Sequence, residues 1–175
     1  MLRTVVRDLR NKSANRPADP AVCGTCEIGY LVGGHQRESD PLMRFTIDRI
    51  DHVVLNVKDV EISAAWYQRV LGMEREDFGP DNRTALKFGG QKLNLRPTGA
   101  DRHNWVAAAD TSPGTADLCF ITATVAEDVI GHLHDHGVMV ELGPVARAGA
   151  LGPIRSVYCR DPDGNLVEVA SYLPL

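Results

Sequence analysis

Two short runs in the chain hold side chains that bind metals or pass electrons. Cys23-Gly-Thr-Cys26 has the CxxC spacing of zinc ribbons and thiol redox sites. A structural zinc site wants four ligands, however. No second CxxC or paired histidines follow at finger spacing, which leaves Cys26 and His35 as at most a partial set. The run HLHDH puts His132 and His136 one helical turn apart, a spacing that can pinch an adventitious cation. That face reads better as solvated surface. A third run, Asp161-Pro162-Asp163-Gly164, reads as a turn leading into a strand. None of the three is a complete centre, so any chemistry must be assembled from residues distant along the chain.

The elements that do the assembling begin near Ile47. IDHVVLNV is a strand by its β-branched content. Its alternation puts Val53, Leu55 and Val57 on one side and His52, Val54 and Asn56 on the other. Asp59 can cap a helix carrying Ala64, Ala65, Trp66, Tyr67, Val70 and Leu71, which Gly72 stops. MEREDF, RTALKFG and QKLNLRP then read as strands, with Gly89-Gly90 turning between the last two.

The second half repeats this order. ADLCFITA is a strand, and Thr124 with Glu127 forms a capping-box signature for a helix that runs to His136 and stops at Gly137. GVMVELGP, IRSVYCR and NLVEVASY supply three further strands. The interval from His52 to Gly72 equals the interval from Asp117 to Gly137. Asn94 and Glu168 hold matching places in the last strand of each half, Glu168 standing further beyond its glycine than Asn94 does. A longer loop around PVARAGALGP accounts for the difference. The spacing predicts two like βαβββ modules, about 47–98 and 113–175, facing one another about a pseudo-twofold axis.

Composition bounds the function. The 175 residues leave room for one domain with a real core, placed at 45–175, and an appendage. Residues 1–44 lack apolar periodicity, and NKSANRPADP suits no packed element, so they read as a flexible N-terminal extension. Hydrophobic content of 43% and charged content of 24% are ordinary for a globular protein. A net charge of -4 argues against a nucleic-acid partner, which needs a basic face for phosphates. No apolar run approaches the ~20 residues that cross a bilayer, and the N-terminus lacks the apolar core of a secretory signal. Four cysteines in a chain this long make no disulfide framework, which points to a reducing cytoplasm.

IDHVVLNVKD, WYQRVLGM and the closing DPDGNLVEV resemble the vicinal oxygen chelate superfamily, which includes glyoxalase I, extradiol dioxygenases, fosfomycin-resistance enzymes and bleomycin-binding proteins. ALKFGGQKLNL, SPGTADLCFIT and GPVARAGALGPIRSVYCRDPDGNLVEV narrow the likeness to glyoxalase-domain proteins of the kind labelled virulence or lactoylglutathione-lyase-like. The likeness covers the whole domain and leaves out only the extension. It implies an α+β fold, the glyoxalase/bleomycin resistance/dihydroxybiphenyl dioxygenase fold, in which paired modules form a cup-shaped mixed sheet. It also implies a homodimer and a small-molecule substrate.

In that family the metal ligands sit on the first and last strands of each module and point into the cup. Carried onto this sequence, those positions are His52, Asp117 and Glu168, with Asn94 as a fourth, and Glu168 as the catalytic carboxylate. Strand parity agrees, since each lies opposite an apolar set that can pack on helices. One imidazole and two carboxylates suit a divalent ion such as Ni, Zn, Mn or Fe. Glyoxalase I relies on a carboxylate where Asn94 stands, and extradiol dioxygenases use a second histidine where Asp117 stands. The implied activity is therefore the shared one: a lyase or isomerase acting on a substrate with vicinal oxygens. Fe(II)-dependent ring cleavage and metal-free drug binding remain the alternatives.

Around that set, Lys92 and Arg96 share the parity of Asn94 and can hold an anionic group. Arg96 stands where relatives tend to carry a histidine. Arg147, Tyr158 and Arg160, on the long loop and strand of the second module, are further substrate-binding candidates under a loop that reads as a lid.

Overall fold

The computed structural model describes residues 45–173; the extension with Cys23-Gly-Thr-Cys26, and the last two residues, lie outside the described residues. The first module runs β1 (His52–Val57), α1 (Val60–Leu71), β2 (Glu74–Phe78), β3 (Arg83–Phe88) and β4 (Gln91–Pro97). The second runs β5 (Asp117–Ile121), α2 (Ala126–Asp135), β6 (Leu142–Gly149), β7 (Gly152–Arg160) and β8 (Leu166–Tyr172). Both are βαβββ, and the class is α+β. Each module builds its own four-stranded mixed sheet, ordered β1-β4-β3-β2 and β5-β8-β7-β6.

The first strand of each module lies at a sheet edge, paired in parallel with the last. Val54 pairs with Asn94 in one sheet and Cys119 with Glu168 in the other, while His52 and Asp117 each begin their strand. The duplication seen in the spacing therefore extends to the hydrogen-bond register.

Helix α1 starts where Asp59 accepts from the Ile62 amide at 3.0 Å and stops where Gly72 turns left-handed at φ 65. Helix α2 begins differently. Its N-cap is Val125, whose side chain has no atom to accept a hydrogen bond, and Glu127 pairs with Arg155 at 2.7 Å in place of the expected capping box with Thr124. Much of the loop expected around PVARAGALGP is also strand: β6 covers LGPVARAG and takes in only the last three residues of GVMVELGP. A tight hairpin from Gly149 to Gly152 fixes β6 against β7 and supplies its backbone partners.

The helix-facing sides of both sheets share one core. Leu55, Val57, Leu93 and Leu95 of the first module join Val157, Val167 and Val169 of the second, with Tyr67, Val70, Val129 and Leu133 from the helices between. The Asp161–Gly164 turn is part of this joint. Asp161 accepts from the Tyr67 hydroxyl at 2.9 Å and from the backbone of Asp163 and Asn165 at 2.9 and 2.8 Å. Asp163 accepts from the Ser63 hydroxyl and the Lys58 amide, both at 3.0 Å. Gly114 allows the same turn to close: a Cβ there would stand 2.6 Å from the Asp163 carbonyl oxygen. His132 bonds the Val70 carbonyl at 2.9 Å, so it serves this joint rather than pairing with His136 for a cation.

Candidate functional site

With the apolar sides of both sheets in the shared core, their polar sides point away from it. On the first sheet the half-exposed His52 ring bonds Asp51 through Nδ1 at 3.0 Å, which leaves Nε2 for another partner. That hydrogen bond holds the Asp51 carboxyl below the usual carboxylate range. Asn94 is buried, and its Oδ1 has no hydrogen-bond partner among the described residues. Lys92 lies 4.0 Å over the Phe78 ring and 3.9 Å from Glu76, so its charge is already met. Arg96 is 1% exposed. One of its terminal nitrogens donates to the Ala100 carbonyl, the other lies 3.5 Å from Asn56 Oδ1, and Nε has no acceptor among the described residues. Trp105 stands beside it, its ring 4.4 Å from the Arg83 guanidinium.

The second sheet carries the acids. Asp117 and Cys119 are exposed and Glu168 is half-buried, all on one face by the β5–β8 register. Partial burial, with the nearby Glu168 and Asp117 carboxylates, pushes the Cys119 thiol up to about 11, so it is neutral at physiological pH. A groove of about 400 Å³ runs along this face between Cys119, Glu168, Arg147, Tyr158 and Tyr172. Arg147 donates from Nε to the Tyr158 hydroxyl at 3.2 Å. Arg160 is turned aside, since Glu141 takes its guanidinium through bonds of 2.6 and 2.9 Å. The strand β6, in place of a mobile lid, forms the groove wall at Arg147 and Ala148.

The expected metal set is thus divided. His52 and Asn94 lie on one sheet, Asp117 and Glu168 on the other. Among the described residues no three His, Cys, Asp or Glu side chains gather around a point where one ion could sit. The donor types suit a divalent ion, but one chain does not bring them to it. Two residues escaped the sequence reading. Asp51 had no signal beyond adjacency to His52, whereas Cys119 shares the parity of Asp117 and could have been found from it.

Comparison with known proteins agrees with the fold. The family model described as "Glyoxalase/Bleomycin resistance protein/Dioxygenase superfamily" matches residues 49–169. The chain is 44% identical over 131 residues to virulence protein STM3117 of Salmonella typhimurium, covering 75% of this chain and 89% of that one. It is 42% identical over 129 residues to the glyoxalase domain-containing protein RDO1 of Mycosarcoma maydis, covering 74% and 71%. Among solved structures, an integron cassette protein from the mobile metagenome of V. cholerae superposes with a TM-score of 0.70 at 46% identity, over 74% of this chain and 98% of that one.

Proposed function

Because the chain belongs to the glyoxalase/bleomycin resistance protein/dioxygenase superfamily, we propose that it is a divalent-metal-dependent lyase or isomerase acting on a small substrate with vicinal oxygens, and that two copies of the chain assemble each metal centre. The observation that carries this reading is the division of the ligand set. Each half spans an edge strand and its parallel neighbour in the same register, and each faces away from the chain's own core. A strand edge left open invites pairing with another chain. An isologous twofold that sets β1 of one copy beside β5 of the other supplies His52 and Asn94 from the first and Asp117 and Glu168 from the second. It does so twice, giving two identical centres.

The roles follow from the side chains. Asp51 fixes the His52 ring so that Nε2 points outward, the carboxylate–histidine arrangement that orients a metal-bound imidazole. Asn94 offers an uncharged, unpartnered Oδ1. An amide cannot accept a proton at neutral pH, so proton transfer falls to Glu168, half-buried beside a thiol that stays neutral. The cation, when bound, supplies the positive charge that stabilises an oxyanion or enolate on the chelated substrate.

Metal analysis by inductively coupled plasma spectrometry on protein purified without chelators tests this reading. Bound divalent metal is expected in the wild type and is lost in His52→Ala and in Glu168→Ala. Negligible metal in the wild type, or metal that neither change removes, overturns it.

A further inference from the structure

The polar face of the first sheet holds a buried guanidinium that no acid among the described residues contacts. The cations around it each reach an acid: Lys87 and Lys92 share Glu76, each 3.9 Å from one of its oxygens, and Arg83 lies 2.9 Å from Asp81. Arg96 is different. It is the largest fully buried side chain, and its hydrogen bonds among the described residues go only to neutral oxygens, those of Ala100 and Asn56. Its Nε–H is buried with no acceptor among them at all. Guanidinium cannot shed its charge, and a buried donor without a partner is costly to keep. Such a cost is retained where a ligand offsets it.

The surroundings define that ligand. A buried guanidinium that contacts no acid calls for an anion. Nε together with a terminal nitrogen presents a planar fork that matches a carboxylate. Trp105 adds a flat apolar wall on one side. Asn94, with its unpartnered Oδ1, lies two residues back on the same face of β4, about 7 Å along the strand. The segment over Arg96 is held to its side chain by the bond to the Ala100 carbonyl and to β3 by the Arg83 bond to the Asn104 carbonyl at 2.9 Å, with Asp101 bonding within the segment to the Trp105 and His103 amides at 3.0 and 2.9 Å.

We propose that Arg96 anchors the carboxylate of the substrate, under the segment that runs from Ala100 to Trp105. The substrate is then a small carboxylic acid whose two neighbouring oxygens lie a few bonds from the charged group. That this anion belongs to the substrate rests on the metal-site reading above; the anion site itself does not.

The test uses the full chain, stripped of metal and labelled with ¹⁵N, and follows the arginine Nε–H resonances by NMR at constant ionic strength. The probes are glycerate, which carries a carboxylate beside a vicinal diol, glycerol, which has the diol alone, and inorganic phosphate. One Nε–H signal, missing from the Arg96→Lys spectrum, is expected to move saturably with glycerate and to stay put with glycerol. Glycerate binding should weaken at least tenfold in Arg96→Lys. The site is overturned if no Nε–H signal responds in the wild type, if the responding signal survives Arg96→Lys, or if glycerol moves it equally. Phosphate saturating it at lower concentration than glycerate overturns the carboxylate assignment. If glycerate binding is kept in Arg96→Lys, the anchor fails, and metal uptake by the same wild-type protein reports separately on the metal reading. A response through Arg96 in protein that takes up no metal leaves the anchor standing and removes the metal reading.

Discussion

His52 has one ring nitrogen engaged by Asp51 and the other free, so the two residues do different work. Losing His52 removes a ligand; losing the Asp51 charge only loosens the ring that holds one. Asp51→Asn should therefore weaken divalent-metal affinity by about 10–100-fold, the usual cost of removing such a partner, while leaving the metal stoichiometry intact. Titration with Mn²⁺ or Zn²⁺ followed by calorimetry measures this, and an affinity equal to the wild type would show that Asp51 has no orienting role. The residues on both polar faces were legible from period-2 alternation, since His52, Asn94, Asp117 and Glu168 each oppose an apolar set. Their electrostatic partners were not. Nothing in the sequence pairs Arg160 with Glu141 or leaves Arg96 without a carboxylate, because those outcomes depend on which side chains meet across strands.

At the scale of elements, the joint between α1 and the turn before β8 holds the two modules together. The Tyr67 hydroxyl is buried against Asp161, and burial together with that carboxylate raises its pKa far above the phenol range. Folding therefore favours the protonated phenol. The contribution is fully present below the unfolded-state value of about 10 and is lost as pH climbs above it, because only the unfolded chain releases the proton there. In urea denaturation, the stability of the wild type should fall more steeply than that of Tyr67→Phe between about pH 10 and 11. At neutral pH the same substitution should cost about 1.5–3 kcal/mol, the range for a hydrogen bond to a charged group. Equal slopes and equal midpoints would contradict the account. The turn's role was hidden in the sequence, where DPDG reads as a local reversal, since its partners Ser63 and Tyr67 belong to the other module, far back along the chain. The strand β6 was misplaced for a related reason: the valines of GVMVELGP look like strand, but the hairpin at Gly149–Gly152 sets the register of the real one.

Over the whole molecule, the repeat gave away both modules, and the equal intervals from His52 to Gly72 and from Asp117 to Gly137 located their equivalent elements. What the spacing could not reveal is how two modules with similar apolar faces meet. They bury those faces together around α1 and α2, which turns the polar faces outward and leaves β1 and β5 at the sheet edges among the described residues. On the proposed reading a lone chain holds two half-sites, and metal binding needs a second copy. Mixing two inactive variants distinguishes this arrangement from a site within one chain. His52→Ala and Glu168→Ala protein, each free of metal, are combined, allowed to exchange subunits and assayed for bound metal. In a mixed dimer one centre carries both lesions and the other carries neither, so random exchange should restore about a quarter of the wild-type metal content. A mixture that binds no more metal than either variant alone would contradict the shared centre.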